Sequence, residues 1–251
     1  IAFKNIPQLF DKFRDELIYG ELLEKKKAEL LNIKDRDEDT IQLIDAINIY
    51  FLYQKLKKKN SLIDFGDMIT NLWELLANID ILKKIKSEAE HIIVDEFQDN
   101  NFALTEIVKK ITGKDGSVTV VGDDDQSIYS FRGANIGGFN NFREYYNDAK
   151  NYKEIILNKN YRSTQSILNF ADESVKRNES RLKAKALESV KEDNTPVYLC
   201  TGDRIQQKIQ LTKEILNYLK SGINPSDIAI LTRSRSNAIE ISDALNDSQI
   251  C

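Results

Sequence analysis

The sequence predicts an α/β fold: two parallel-sheet units preceded by a helical segment. Three observations lead there. Short apolar runs alternate with amphipathic stretches from about residue 91 onward, the pattern of strands joined by crossover helices. The first 59 residues place apolar side chains at helical spacing. The apolar runs in the middle of the chain are followed within one or two residues by acidic residues, the position where open α/β sheets bind ligands. The 251 residues are 41% hydrophobic and 30% charged, with 10 Gly and 3 Pro. That supports a packed core and excludes disordered and collagen-like chains.

Phe10, Phe13 and Leu17, then Ile44, Ile47 and Phe51, fall on helical faces. Between them residues 33–40 (IKDRDEDT) form a polar break, with Asp39 or Thr40 placed to cap the next helix. That helix ends in Lys55, Lys57, Lys58 and Lys59. The run reads either as a solvated face with cations at a helix C-terminus or as a phosphate-contacting rim. Residues 61–76 start as a loop and continue as a helix with Ile69, Leu72, Trp73 and Leu76 on one face.

Residues 91–94 read as a short strand and 118–121 as a second, buried one. Leu104, Ile107, Val108 and Ile111 mark the helix between them, and GKDG at 113–116 is a turn. A polar stretch near 147–153 separates this block from the next. Strands are expected at 154–157, 196–200 and 227–232, with helices over 166–177, 205–219 and 237–245.

Lys+Arg number 36 and Asp+Glu 40, a net charge of −4. A globally basic nucleic-acid binder is excluded, while a local basic groove stays open. No apolar run reaches the roughly 18–20 residues of a membrane-spanning helix. Two cysteines, Cys200 and Cys251, make no disulfide framework, and a reduced, cytoplasmic setting is expected. The first residue is Ile1 and the single methionine is Met68, so the sequence reads as an internal piece of a longer chain.

Three constellations carry chemistry. After the run 92–94 come Asp95 and Glu96. The first carboxylate suits Mg²⁺, and the second suits orienting or deprotonating a water; two acids after a strand are equally a solvated loop. After Val120 and Val121 comes GDDDQSIYSFRGA at 122–134. Three adjacent acids repel one another unless a cation or solvent is near, and Gln126 offers an amide to a phosphate. Tyr129 and Phe131 beside Arg132 combine aromatic planes with a cation, as single-strand binders do. The third is LNKNYRST at 157–164. There Arg162, at a strand-to-helix junction with Ser163 or Thr164 as cap, reads as an arginine finger or as an interdomain ion pair, and Tyr161 as a stacking plane.

DEFQD, VGDDDQSIYSFRGA and LNKNYRST, in this order and spacing, resemble motifs II, III and IV of the UvrD/Rep/PcrA family of superfamily 1 DNA helicases. Residues 62–67 (LIDFGD) resemble the family's "DF-D" motif, and IAILTR at 228–233 the strand of motif IVa. The resemblance implies two partial RecA-like domains of the P-loop NTPase type. Residues 1–59 would be helical insert, 60–152 the first domain and 153–251 the second. It implies an ATP- and Mg²⁺-dependent motor that moves 3′→5′ on single-stranded DNA and opens duplex junctions in repair, replication or recombination. Such a motor would be monomeric, with other repair proteins as partners.

The resemblance also assigns roles. Asp95 would be the Mg²⁺-associated acid and Glu96 the catalytic base. Gln126 would contact the γ-phosphate, Tyr161 would stack on adenine and Arg162 would be the γ-phosphate arginine. Tyr129 and Phe131 would stack on DNA bases, and Arg132 would link their loop to the nucleotide site. Asn100 departs from the pattern, where many relatives carry Thr. A helicase–nuclease subunit of the RecB/AddA type and a non-enzymatic DNA- or partner-binding module are the alternatives. The sequence contains no G-x-x-x-x-G-K-[ST], the loop whose amides and Lys cradle phosphates. By itself it is therefore expected to hydrolyse no ATP.

Overall fold

The computed structural model describes residues 6–127, 137–149, 151–177, 186–192 and 196–248. The chain divides into two units, residues 1–158 with 173–186, and residues 159–172 with 187–251. Among the described residues no helix is long and apolar enough to cross a membrane.

The first unit opens with α1 (Ile6–Asp15), α2 (Gly20–Leu31) and α3 (Glu38–Lys59). Phe10, Phe13, Leu23, Ile47 and Tyr50 meet in one core. Tyr50 lies edge-on to Phe10 and Phe13, with centroids 5.2 and 5.8 Å away, the geometry aromatic quadrupoles favour. The cap of α3 is Asp37, whose carboxylate accepts the Thr40 N–H at 2.8 Å. Asp39 and Thr40, the expected caps, instead occupy its first turn. The basic run at the other end is not one surface either. Lys55, Lys58 and Lys59 are exposed, but Lys57 is buried and belongs neither to a solvated face nor to a phosphate rim.

Its partners explain why. Helix α4 (Phe65–Leu75) starts with a capping box in which Asp64 and Asp67 satisfy each other's backbone N–H groups. Lys57 Nζ lies 2.8 Å from Asp64 and 2.6 Å from Asp67. Arg14 pairs with Asp64 and sits 3.6 Å from Asp67, while the Tyr53 hydroxyl donates to Asp64 at 2.8 Å. The start of α4 is thus a largely buried ion cluster that ties α1, α3 and α4 together. Burial pushes the Asp64 carboxyl up, but hydrogen bonds from Arg14 and Lys57 outweigh it and hold the group well below the usual carboxylate range.

Next come α5 (Ile79–Glu88), β1 (His91–Val94), α6 (Phe102–Thr112), β2 (Ser117–Val120) and α7 (Gly137–Tyr146). β1 and β2 pair in parallel from His91↔Ser117 to Val94↔Val120, with α6 as the crossover a parallel pair needs. Val94, Val118 and Val120 pack onto Phe97, Phe142 and Tyr146. The opposite face is open, with Ile93 70% exposed, so β2 is covered on one side rather than buried.

The second unit contains β3 (Lys159–Asn160), the start of α8 (Gln165–Val175), β4 (Glu188–Ser189), α9 (Arg204–Lys220) and α10 (Arg235–Asp247). Its later helices begin where side chains cap them. Asp203 and Gln206 form a capping box on α9, and Ser234 accepts from Asn237 on α10. The strands expected at 154–157, 196–200 and 227–232 are not formed. Leu157, Leu199 and Leu231 are 75%, 80% and 94% exposed. A strand exists only through its ladder, and these runs pair with no strand among the described residues. What pairs instead is β3 with β4, Lys159↔Glu188 and Asn160↔Ser189, again in parallel. The described residues therefore form an α/β structure with two two-stranded parallel sheets.

Replacing Lys57 with Met leaves Asp64 and Asp67 short of a cation in a buried place, and unfolding in urea should show a loss of about 3–5 kcal/mol. Lys58→Met, one exposed residue away, should change stability by no more than about 0.5 kcal/mol. The folded Asp64 carboxyl titrates below its unfolded value. Its stabilisation is full above about pH 4 and lost as pH falls through the folded value, so the Lys57→Met deficit should narrow in acid.

Candidate active site: two acidic loops at one sheet edge

Parallel pairing brings the carboxyl ends of β1 and β2 to the same edge. Asp95, Glu96 and a 3-10 turn at Phe97–Asp99 follow β1. Val121, Gly122 and a 3-10 turn at Asp124–Gln126 follow β2. Asp95 and Glu96 are exposed, and the Asp95 carboxylate accepts the Glu96 N–H at 2.9 Å. Glu96 is left-handed, φ 48° and ψ 44°, a conformation that costs a non-glycine residue about 1 kcal/mol or more. The turn sends the next side chain inward. Phe97 is 1% exposed and lies edge-on to Phe139 and Phe142 at 5.1 and 5.2 Å. Its N–H donates to the Val121 carbonyl at 2.9 Å, while the Val121 N–H donates to Val94 at 2.8 Å.

The loops are tied together by Gln98, which is 2% exposed. Its Nε2 donates to the Glu96 carboxylate at 2.5 Å, and its Oε1 accepts the Asp123 N–H at 2.9 Å. Asp123 in turn accepts from the Asp125 N–H at 3.1 Å and from the Gln126 side chain at 2.8 Å. Gln126 is exposed and folds back onto its own loop. Ligand oxygens of Asp123, Asp124 and Asp125 lie within 4.8 Å of one another. Exposed carboxylates at a strand end are the oxygen donors Mg²⁺ takes, so Asp95 fits that ion.

The first unit thus brings together Asp95, Glu96 and the loop carrying Gln126. Tyr129, Phe131 and Arg132 lie outside the described residues. Tyr161 and Arg162 belong to the second unit. Tyr161 is 72% exposed, and Arg162 is exposed as well. Asn160 sets their course: its Oδ1 accepts the N–H groups of Arg162 and Ser163 at 3.0 and 2.7 Å, an Asx turn. Thr164 does not act as the expected cap, because its hydroxyl is buried without a hydrogen-bond partner.

Two contributors, Gln98 and Asn101, have no role assigned by the sequence, although Gln98 and Asp99 match the family motif. Gln98 gives no signal beyond its place in DEFQD. Asn101 carries a local one, an Asn just before an amphipathic helix. Its Oδ1 caps α6 at the Leu104 N–H, 2.9 Å, while its Nδ2 donates to Asp15 at 2.6 Å. That contact links the end of α1 to the segment that follows the first acidic loop. Burial, then repulsion from Asp11, pushes the Asp15 carboxyl up to about 6 despite the hydrogen bond from Asn101.

Residues 4–147 match the family model of the UvrD/REP helicase N-terminal domain, and residues 155–251 that of the UvrD-like helicase C-terminal domain. The chain is 36% identical over 204 residues to a putative ATP-dependent DNA helicase, YjcD, of Bacillus subtilis, covering 80% of this chain and 26% of the relative. It is 36% identical over 231 residues to DNA helicase II of Haemophilus influenzae, covering 91% and 31%. With the ATP-dependent DNA helicase PcrA of Staphylococcus epidermidis it shares 35% over 205 residues, covering 80% and 27%. The chain therefore spans between about a quarter and a third of these relatives' lengths.

The Asp15 carboxyl has a folded value near 6 against about 3.9 in an unfolded chain. The folded state binds the extra proton between those values, so this group's contribution to stability falls as pH rises from about 4 to 6. Asp15→Asn keeps a carbonyl for Asn101 and removes the charge. Urea midpoints should show it more stable than the parent above pH 6, the advantage fading as pH approaches 4.

Proposed function

The chain belongs to the UvrD/REP helicase family, and from that premise we propose that it forms part of an ATP-driven motor that moves along single-stranded DNA and unwinds duplexes. The observation that carries the reading is the pair of acidic loops fixed side by side at the ends of β1 and β2. This is where a nucleotide hydrolase of the open α/β type places its acids. The relatives' names, DNA helicases throughout, support DNA as the substrate, and the family resemblance supports 3′→5′ movement.

In this reading residues 1–59 are a helical insert, 60–152 part of a first RecA-like domain and 153–251 part of a second. Asp95 holds Mg²⁺, which when bound draws negative charge off the phosphates. Glu96 orients the attacking water and takes its proton. Gln126, now turned onto Asp123, reaches the γ-phosphate and reports its state to the loop that continues to Tyr129 and Phe131. Those two rings stack on bases, and Arg132 connects them to the nucleotide. Tyr161 supports the adenine, and Arg162 neutralises charge developing on the transferred phosphoryl group.

Residues 1–251 contain no phosphate-cradling G-x-x-x-x-G-K-[ST]. Assayed by themselves with single-stranded DNA, they should show no ATP turnover above background. Turnover that disappears with Glu96→Gln would overturn this expectation. Binding to an oligo-dT probe should weaken as salt rises. Tyr129→Ala with Phe131→Ala should lower that affinity about 10-fold or more, and an unchanged affinity would remove both rings from the DNA contact.

A further inference from the structure

We propose that Gln98 is a positioning residue that makes the two acidic loops move as one. Its amide holds the Glu96 carboxylate at one end and the backbone of the second loop, at Asp123, at the other. The loop coupling is a property of this chain by itself; its consequence for hydrolysis rests on the function proposed above.

Three observations carry it. Gln98 is buried, and both ends of its amide are engaged across a sequence separation of 25 residues to Asp123 and 2 to Glu96. A hydrogen bond donated to a carboxylate from a buried amide is of the stronger, charge-assisted kind. Few side chains could replace it: Glu offers no N–H to Glu96, Met neither donates nor accepts well, and Asn is one methylene shorter.

The second loop is also built around this amide. A Cβ added at Gly122 would lie 2.5 Å from Gln98 Oε1, 2.9 Å from the Phe139 ring and 3.0 Å from the Phe97 nitrogen. Only a residue without a side chain lets the backbone come this close. Finally, the neighbouring Phe97 is fixed by its ring contacts and by its bond to Val121, so Gln98 starts from a rigid base. A displacement of the Asp123–Gln126 turn therefore pulls on Gln98 Oε1, and through the planar amide on the group that points Glu96. In the proposed motor this is a mechanical path from the residue that senses phosphate to the residue that activates water.

Amide hydrogen exchange at Asp123, measured on residues 1–251 without nucleotide, tests the coupling apart from any ATPase reading. Protection of the β1 and β2 amides serves as the check of folding. Gln98→Met removes both links and should speed Asp123 exchange about 10-fold or more. Gln98→Glu keeps the acceptor for Asp123 and loses the donor to Glu96. Glu96→Ala, at an exposed position, frees the far end of the amide and should speed Asp123 exchange about threefold in the parent, yet cause no acceleration in the Gln98→Glu background, where it only removes repulsion between two neighbouring carboxylates. A parent-like Asp123 rate in Glu96→Ala overturns the proposal, as does an equal acceleration by Glu96→Ala in both backgrounds. Should Gln98→Met fail to fold, the Glu96→Ala and Gln98→Glu pair still decides. The functional reading is tested separately: loss of ATPase in the complete protein on Glu96→Gln with loop coupling absent would reject only the present inference.

Discussion

The parallel pairing of β1 with β2 is the constraint on which the site depends. Two parallel strands end at the same edge, so the segments that follow them emerge as neighbours although one crossover helix separates them in sequence. An antiparallel pair would send the second loop to the far end, and Asp123 could not reach Gln98. Four residues per strand supply few ladder bonds. The pair is also held by its inner face, where Val94, Val118 and Val120 meet Phe97, Phe142 and Tyr146, and by the Thr112–Tyr146 hydroxyl contact at 2.5 Å that ties α6 to α7.

Two polar links of different electrostatic character hold the helices of this unit, one among α1, α3 and α4 and one between the end of α1 and the start of α6. At the start of α4 Asp64 and Asp67 face Arg14 and Lys57, and against the pull of burial the hydrogen bonds from Arg14 and Lys57 hold the Asp64 carboxyl low. At the end of α1, Asp15 meets a neutral amide and another acid, and burial favours its protonated form. Ionisation stabilises the first place and opposes the second. The helices are thereby fastened by an ionic cluster on one side and, beside the cap of α6, by a contact whose buried acid costs stability once it ionises.

What the sequence revealed follows from how local each cause is. Helices α6, α9 and α10 were legible because apolar spacing and caps lie within a few residues of each other. β1 and β2 were legible as short apolar runs bounded by turns. The runs at 154–157, 196–200 and 227–232 look equally strand-like, but a ladder depends on a neighbour that the run itself does not encode. Lys57 was hidden in a run of lysines whose other members are exposed; only α4, folded against it, distinguishes it. Asp37 lost to Asp39 and Thr40 because several residues in that acidic stretch have capping oxygens, and the path of the turn decides which one meets an N–H. Asp95, Glu96 and Gln126 stood out by residue type, whereas Gln98 could not, since its role exists only once its two partners have been brought together.

The left-handed Glu96 shows how the constraints combine. By strand alternation Glu96 would share the inner face of Val94, yet Asp95 and Glu96 are both exposed and Phe97 is fully inside. A left-handed residue makes that reversal in a single step. Glycine would make it without strain but would leave no carboxylate. Asp tolerates the conformation better than Glu, but its carboxylate is one methylene closer to the backbone and would not reach Gln98 Nε2 at the observed geometry. Glu is thus the choice that satisfies reach at the expense of backbone strain, and the strain is offset by burial of Phe97 and by its bond to Val121. The exposed acid is therefore held from both sides, by a backbone that has one way to turn and by an amide with one place to point.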